Sequence, residues 1–220
     1  MPHTLAHKSD ITLLVGAGPT TRGLLKHAAD YASAIVAADG GYTSAIDAGL
    51  NVELTIGDMD SIFKSVDAHN KLKIKDQGST DFEKCLQVCD AKVFLGLGFL
   101  GGRLDHQMAA FSAILKDLRP VVLMDSQQLI FVVPKEFEIK MDEGAEVAFY
   151  PLVPVKVKAL GLEWPLQDVE MDPGGLISTS NKIRGSELKL KVNRHGLLAI
   201  LPMRYVGSVL QALGMRRFTN

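Results

Sequence analysis

"KVFLGLGFLGGRLDHQMAAFSAILKDL", residues 92–118, decides the fold class. It opens on a near-continuous apolar run, 92–97, of strand length. Glycines crowd the next six residues. From Arg103 to Leu118 apolar residues return at helical spacing, and the pattern puts Leu104, Met108, Phe111 and Leu115 on one stripe. A second apolar run, "PVVLMD" (120–125), follows at once. Strand, glycine turn, helix and strand make one βαβ unit. Apolar runs without alternation are those of strands covered on both faces of a parallel sheet.

Working backwards from this unit, the pattern repeats. "ITLLV" (11–15), "AIVAAD" (34–39), "ELTI" (53–56) and "KLKIK" (71–75) read as strands. Leu24, Leu25 and Ala28 mark a first helix capped by Thr20 or Thr21. "YTSAIDAGL" is a short second helix stopped by Gly49. In "STDFEKCLQVCD" (79–90), Thr80 and Glu83 form a capping box, and Phe82, Cys85, Leu86 and Cys89 recur at helical spacing. Working forwards, the texture changes near residue 127. "QLIFVV", "FEIKM", "AEVAFYPL", "VKVKAL", "GLIST", "SELKLKV" and "GLLAILP" are short, often alternating, and punctuated by Gly, Pro or Asn. The expectation is an α/β protein. Residues 1–127 form a mostly parallel α/β domain, and 128–220 a C-terminal all-β sandwich domain.

Bulk properties narrow the function. The 220 residues are 47% hydrophobic, enough for a sizeable core. With 24 basic and 25 acidic residues the net charge is −1, which gives no support for a nucleic-acid surface. The first ten residues are polar and unlike a signal peptide, and no apolar run is long enough for a bilayer. A cytoplasmic protein without a membrane partner is expected. Cys85 and Cys89, the only cysteines, lie one helical turn apart and read as reduced core residues rather than a metal or redox pair.

In an open α/β sheet, ligands bind beyond the carboxyl ends of the strands. There the sequence places Gly16-Ala17-Gly18, then Asp39-Gly40-Gly41, then Gly57-Asp58-Met59-Asp60-Ser61. Asp76, Gly78, Ser79, Thr80 and Asp81 come next, followed by Gly101, Gly102, Arg103, Asp105 and His106. Clustered Asp carboxylates suit Mg²⁺, and the ion's charge lets Asp58 and Asp60 both stay ionised. Asp81 in the first turn of a helix adds a third carboxylate, beside free N–H groups that suit a phosphate. Arg103 supplies a forked permanent cation for phosphate oxygens. Taken singly, each motif also has a plain structural explanation: "DGG" as a turn, Asp81 as a helix-dipole partner, Arg103 with Asp105 as a surface ion pair. "GAG" lacks the spacing of a dinucleotide fingerprint.

In combination the motifs are specific. "DGG" (39–41), "GDMDS" (57–61), "STDFEKCL" (79–86) and "GGRLDH" (101–106), with "GLEWPL" (161–166) and "GLISTSN" (175–181), resemble the thiamine pyrophosphokinase family over about residues 11–200. The resemblance implies a homodimeric enzyme that moves a diphosphate group from ATP to the hydroxyl of thiamine and releases AMP. Carried over by position, Asp58, Asp60 and Asp81 bind Mg²⁺. Asp39, Gly40, Thr80, Arg103 and Asp105 lie near the nucleotide. Trp164, Ser178, Ser180 and Asn181 face thiamine. Asp81, Arg103 and Asp105 are the catalytic candidates, and the residues leave open whether Asp81 or Asp105 accepts the hydroxyl proton. Tyr42, Met59 and Leu104 depart from the family pattern without removing a charged group. A diphosphokinase for another small alcohol such as a pterin, a Mg²⁺-dependent nucleotide hydrolase, and a non-catalytic sensor are the competing readings.

Overall fold

The computed structural model describes residues 8–58 and 71–214, which divide between two compact units, Met1–Ser126 and Gln127–Asn220. In the first unit the strands are β1 (Lys8–Val15), β2 (Ala34–Ala38), β3 (Leu54–Gly57), β4 (Lys71–Lys73), β5 (Asp90–Leu97) and β6 (Val121–Met124). They lie in the order β6-β5-β1-β2-β3-β4, and every pairing among them is parallel. The helices are α1 (Arg22–Ala29), α2 (Gly41–Asp47), α3 (Asp81–Val88) and α4 (Leu104–Lys116). Ile11, Leu13, Leu14 and Val15 of β1, and Phe94, Leu95 and Leu97 of β5, are fully buried. That is why these strands carry no polar alternation.

The strand order sets the position of a site. From β1 the chain steps outwards through β2, β3 and β4, then returns to the other side of β1 as β5. The loops after β1 and β5 therefore leave the sheet in opposite directions. A crevice opens between them, at the point where such sheets bind ligands.

Helix ends follow the local sequence. The Thr21 side chain accepts from the Leu24 N–H at the start of α1. At α3 the Thr80 hydroxyl accepts from the Glu83 N–H (3.2 Å) while Glu83 Oε2 accepts from the Thr80 N–H (3.0 Å), a complete capping box. Gly49, at φ +80°, follows α2. Helix α4 departs from expectation. Ala110, Ala113 and Ile114 are its buried residues, whereas Leu104 is 71% and Met108 56% exposed. Apolar side chains cover most of this helix's circumference, so their spacing does not single out the buried face. Ala110, Ala113 and Ile114 pack inward, while Leu104 and Met108 remain outside.

The second unit holds two antiparallel sheets. One has the order β12 (Ser178–Lys182), β9 (Glu146–Pro151), β14 (Leu197–Pro202), β7 (Gln128–Val132). The other runs β11 (Leu166–Met171), β10 (Val155–Leu160), β13 (Glu187–Val192), β8 (Glu136–Lys140). Burial alternates residue by residue along β8 and β10, the signature of sheets with one wet face. The Phe131 and Phe137 rings, from different sheets, meet with centroids 5.1 Å apart. A short helix, α5 (Val206–Ala212), adds to the all-β expectation. It buries Val206, Val209 and Leu210 and packs against β8. No helix among the described residues is long and apolar enough to cross a membrane.

Candidate active site

Two glycine loops form the floor of the crevice. Gly16 N–H donates to Leu97 O (2.7 Å) and Gly18 N–H to Gly98 O (2.8 Å), stitching the loop after β1 to the end of β5. A Cβ on Gly18 would lie 2.5 Å from Gly98 O, and Gly98 sits at φ +78°. The "GAG" stretch is thus glycine because two backbones touch. The cleft above it has a volume of about 650 Å³, in the range of small-molecule sites.

The carboxylates come from three chain segments. Asp39 ends β2 at φ +37°, an uncommon conformation for a residue with a side chain, and its N–H donates to Ile56 O (2.8 Å). On the neighbouring strand, a Cβ at Gly57 would lie 2.7 Å from the Asp39 Cβ. Glycine at 57 is what lets Asp39 stand beside Asp58. Asp81, the first residue of α3, closes the group. One oxygen each of Asp39, Asp58 and Asp81 lie within 4.8 Å of one another, Asp39 buried and the other two half-buried. Oxygens on opposite sides of a Mg²⁺ ion are about 4 Å apart, so small movements of these side chains suffice to ligate one. The donor set fits a hard divalent cation.

Positive charge borders this group. Lys84, one turn into α3, is buried, and its Nζ donates to Asp81 Oδ1 at 2.9 Å. At the mouth Arg103 holds Asp105 through two hydrogen bonds, the Nε–Oδ1 one 3.0 Å long, with both side chains mostly exposed. The guanidinium keeps the Asp105 carboxyl below the usual carboxylate range, and the carboxylate in turn raises Arg103. Asp76 accepts from the Gly78 N–H (2.9 Å) and the Ser79 hydroxyl, and the Ser79 bond holds its pKa down. Burial pushes the Cys85 thiol well above its ordinary value and the Cys89 thiol to about 11. Both stay protonated near neutrality, which suits core residues.

Of the residues singled out from sequence, Asp39, Gly40, Asp58, Thr80, Asp81 and Arg103 line this one cleft. Asp105 is the partner of Arg103 and is not among the lining residues. Asp60 lies outside the described residues. Asp39, expected beside the nucleotide, stands among the carboxylates suited to the ion. Lys84 was missed. Its signal was present: a lysine three residues after Asp81 shares that residue's helix face.

The other candidates sit in the second unit. Trp164 is 53% exposed, so it is not a core tryptophan. Asn181 is buried, and its amide is committed internally. Oδ1 accepts from the Trp164 N–H (3.2 Å) and the Lys182 N–H (2.9 Å), while Nδ2 donates to Trp164 O (2.9 Å) and Ser178 Oγ (3.2 Å). Asn181 therefore brackets the backbone that presents Trp164 rather than reaching outward. Ser178 is buried beneath it, while Ser180 is exposed at φ +53°.

Fold and site together define a two-domain chain with a cleft suited to a divalent cation and a phosphate-bearing ligand. Residues 25–123 match the family model described as thiamin pyrophosphokinase, catalytic domain, and residues 132–197 match the thiamin pyrophosphokinase vitamin B1 binding domain. The chain belongs to the thiamin pyrophosphokinase family. It is 30% identical over 155 residues to thiamin pyrophosphokinase 1 of Caenorhabditis elegans, covering 61% of this chain and 64% of that protein. It is 33% identical over 160 residues to thiamine pyrophosphokinase 1 of Arabidopsis thaliana, covering 61% and 60% respectively. The matched stretch is thus under two thirds of either relative. Among solved structures, thiamin pyrophosphokinase from Geobacillus thermodenitrificans superposes with a TM-score of 0.73 at 22% identity, over 87% of this chain and 96% of that one. The Candida albicans protein gives 0.76 at 17% identity, over 92% and 94%. At such identities the structures speak for the fold.

Proposed function

We propose that the protein transfers the diphosphate group of ATP to the hydroxyl of thiamine, giving thiamine diphosphate and AMP. The observation that carries this reading is the convergence of Asp39, Asp58 and Asp81 on one point of a cleft floored by glycine loops. Family membership names the acceptor alcohol.

The thiamine hydroxyl oxygen bonds to the β-phosphorus. The bond from that phosphorus to the oxygen bridging the α-phosphorus breaks, AMP departs with the electron pair, and the hydroxyl proton is released. Asp39, Asp58 and Asp81 would hold Mg²⁺, with Asp60 the further ligand expected from sequence. The ion, when bound, neutralises phosphate charge and orients the polyphosphate. The chain's task is then positioning and electrostatics. The first turn of α3, after Thr80, is suited by its dipole and backbone N–H groups to take phosphate oxygens, and Gly40 would let the nucleotide approach the backbone. Arg103, already at the cleft mouth, steadies charge that develops as AMP leaves. Asp105, held ionised by Arg103, is a weak proton acceptor, and a loose transition state requires little help from a base. Trp164 offers a half-exposed aromatic face to the cationic thiazolium, and the exposed Ser180, next to the Asn181 that brackets Trp164, is left for the pyrimidine, whereas Ser178 is buried against Asn181. The enzyme works as a homodimer in the cytoplasm, a reading supported by the family resemblance and tested by sedimentation and fractionation.

The decisive experiment incubates purified protein with ATP and Mg²⁺, with and without thiamine, and identifies products by mass spectrometry. AMP and thiamine diphosphate in equal amounts, only with thiamine present, is the expected result. Phosphate release without thiamine assigns a hydrolase instead, and turnover with a pterin alcohol but not thiamine moves the acceptor.

A further inference from the structure

Lys84 is poorly placed for stability alone. Its side chain is 4% exposed, and burying an ammonium is unfavourable unless it is paired. It also lies near the N-terminal end of α3, where the helix dipole repels a cation. What offsets both penalties is the neighbouring carboxylate: Nζ sits 2.9 Å from Asp81 Oδ1, and Asp81 belongs to the group of three whose oxygens lie within 4.8 Å. Lys84 also lines the cleft. Three carboxylates that close repel one another, and a fixed positive charge at one edge lowers that repulsion. A divalent cation arriving at the same place must compete with it.

We propose that Lys84 is the resident counter-ion of the carboxylate site. It holds Asp81 in its ligating position before the divalent cation enters, and it weakens binding of the bare ion. The ion is then retained chiefly when a nucleotide's phosphates add their own negative charge. Lys84 is thus a positioning residue that acts through Asp81, and the inference rests on the proposed metal–nucleotide site.

The test uses Mn²⁺, a hard cation that accepts oxygen ligands, titrated into the full chain and followed by electron paramagnetic resonance without nucleotide. Lys84→Met keeps the length of the side chain and removes its charge. It is expected to bind Mn²⁺ about tenfold more tightly than the wild type, a strengthening of Coulombic origin, while turnover with ATP and thiamine falls. Lys84→Arg restores weak binding. Lys84→Gln, neutral but still able to donate to Asp81, is the second variant should Lys84→Met fail to fold, and it too binds Mn²⁺ more tightly. A residue serving only the fold would lower the melting temperature and leave Mn²⁺ affinity equal or weaker. That result in a folded neutral variant overturns the proposal. A control separates the underlying reading: if Asp58→Asn leaves wild-type Mn²⁺ binding unchanged with ATP present, the carboxylate site itself is wrong and this inference falls with it.

Discussion

The acidic cleft and the Trp164 corner are built on opposite plans. In the cleft, reactive side chains come from loops at the ends of separate strands. A small number of glycines allow those loops to touch, as Gly57 does for Asp39 and Gly98 for Gly18. Asp58 and Asp81 stay half-open to solvent and Arg103 mostly so, while Asp39 and Lys84 are buried. At the Trp164 corner the polar groups are spent on the protein itself: Asn181 makes four internal hydrogen bonds, and the ring it presents is what faces outward. One region positions charge through backbone contact. The other positions an aromatic face through a buried amide. Damage to the first should therefore appear in turnover, and damage to the second in acceptor binding.

Asp58→Asn is the largest expected break. It removes one charge from the carboxylate group while keeping its shape, and turnover should fall by about a hundredfold to a thousandfold. The melting temperature should move little, because the side chain is half-buried and loses no packing. Steady-state kinetics with calorimetry check both; a lowered melting temperature with preserved turnover would place Asp58 in the fold instead. Next comes Trp164→Ala. Loss of a cation–π face of about 1–2 kcal/mol should raise the KM for thiamine roughly tenfold. The KM for ATP and the stability should be nearly unchanged, since the ring is half exposed. Asn181→Ala sharpens the contrast. It leaves Trp164 in place but unpins its backbone, so the thiamine KM should rise and stability should drop by about 1–3 kcal/mol. Trp164 is the only tryptophan, and its fluorescence reports the change directly. An unaltered emission spectrum in that variant would remove the bracket role.

The same contrast explains what the sequence made legible. Chemistry at strand ends is visible because all five loops carry glycine and four of them add carboxylates. Thr80 and Glu83 were readable as a cap for the same reason: the motif is local. Asn181 was misleading because an amide's partners depend on which backbone folds over it, and "STSN" is compatible with either use. Asp39 stands with the other carboxylates because β2 and β3 are neighbours and Gly57, at the end of β3, leaves room beside it, a pairing the local sequence does not declare. On α4, apolar residues around the whole helix hid the fact that Ala110, Ala113 and Ile114, not Leu104 and Met108, face inward. Helix α5 went unread because its three buried residues span little more than a turn.

The smallest predicted effect concerns what holds the cleft's own helix. Glu83 accepts from Thr80 and pairs with Lys116 (2.8 Å), which ties α3 to α4. Lys116 is the main reason its pKa is lowered in the folded protein. A carboxyl whose folded pKa is depressed adds stability that is complete above the unfolded value, about 4.3 for glutamate. That stability is lost as pH falls through the lower, folded value. Glu83→Gln keeps an oxygen for the Thr80 N–H and gives up the charge that faces the half-exposed Lys116 pair, so it should cost about 0.5–1 kcal/mol at neutral pH. The gap between variant and wild type should close as the pH drops below about 4. Scanning calorimetry from pH 7 to 3 reads this directly. A gap that stays constant through that range would mean that packing, not charge, ties the two helices. Turnover at pH 7 should fall only slightly in this variant, because Glu83 braces the helix that carries Asp81 and Lys84 without touching the ligand. A loss as large as that of Asp58→Asn would instead make Glu83 part of the reacting cleft.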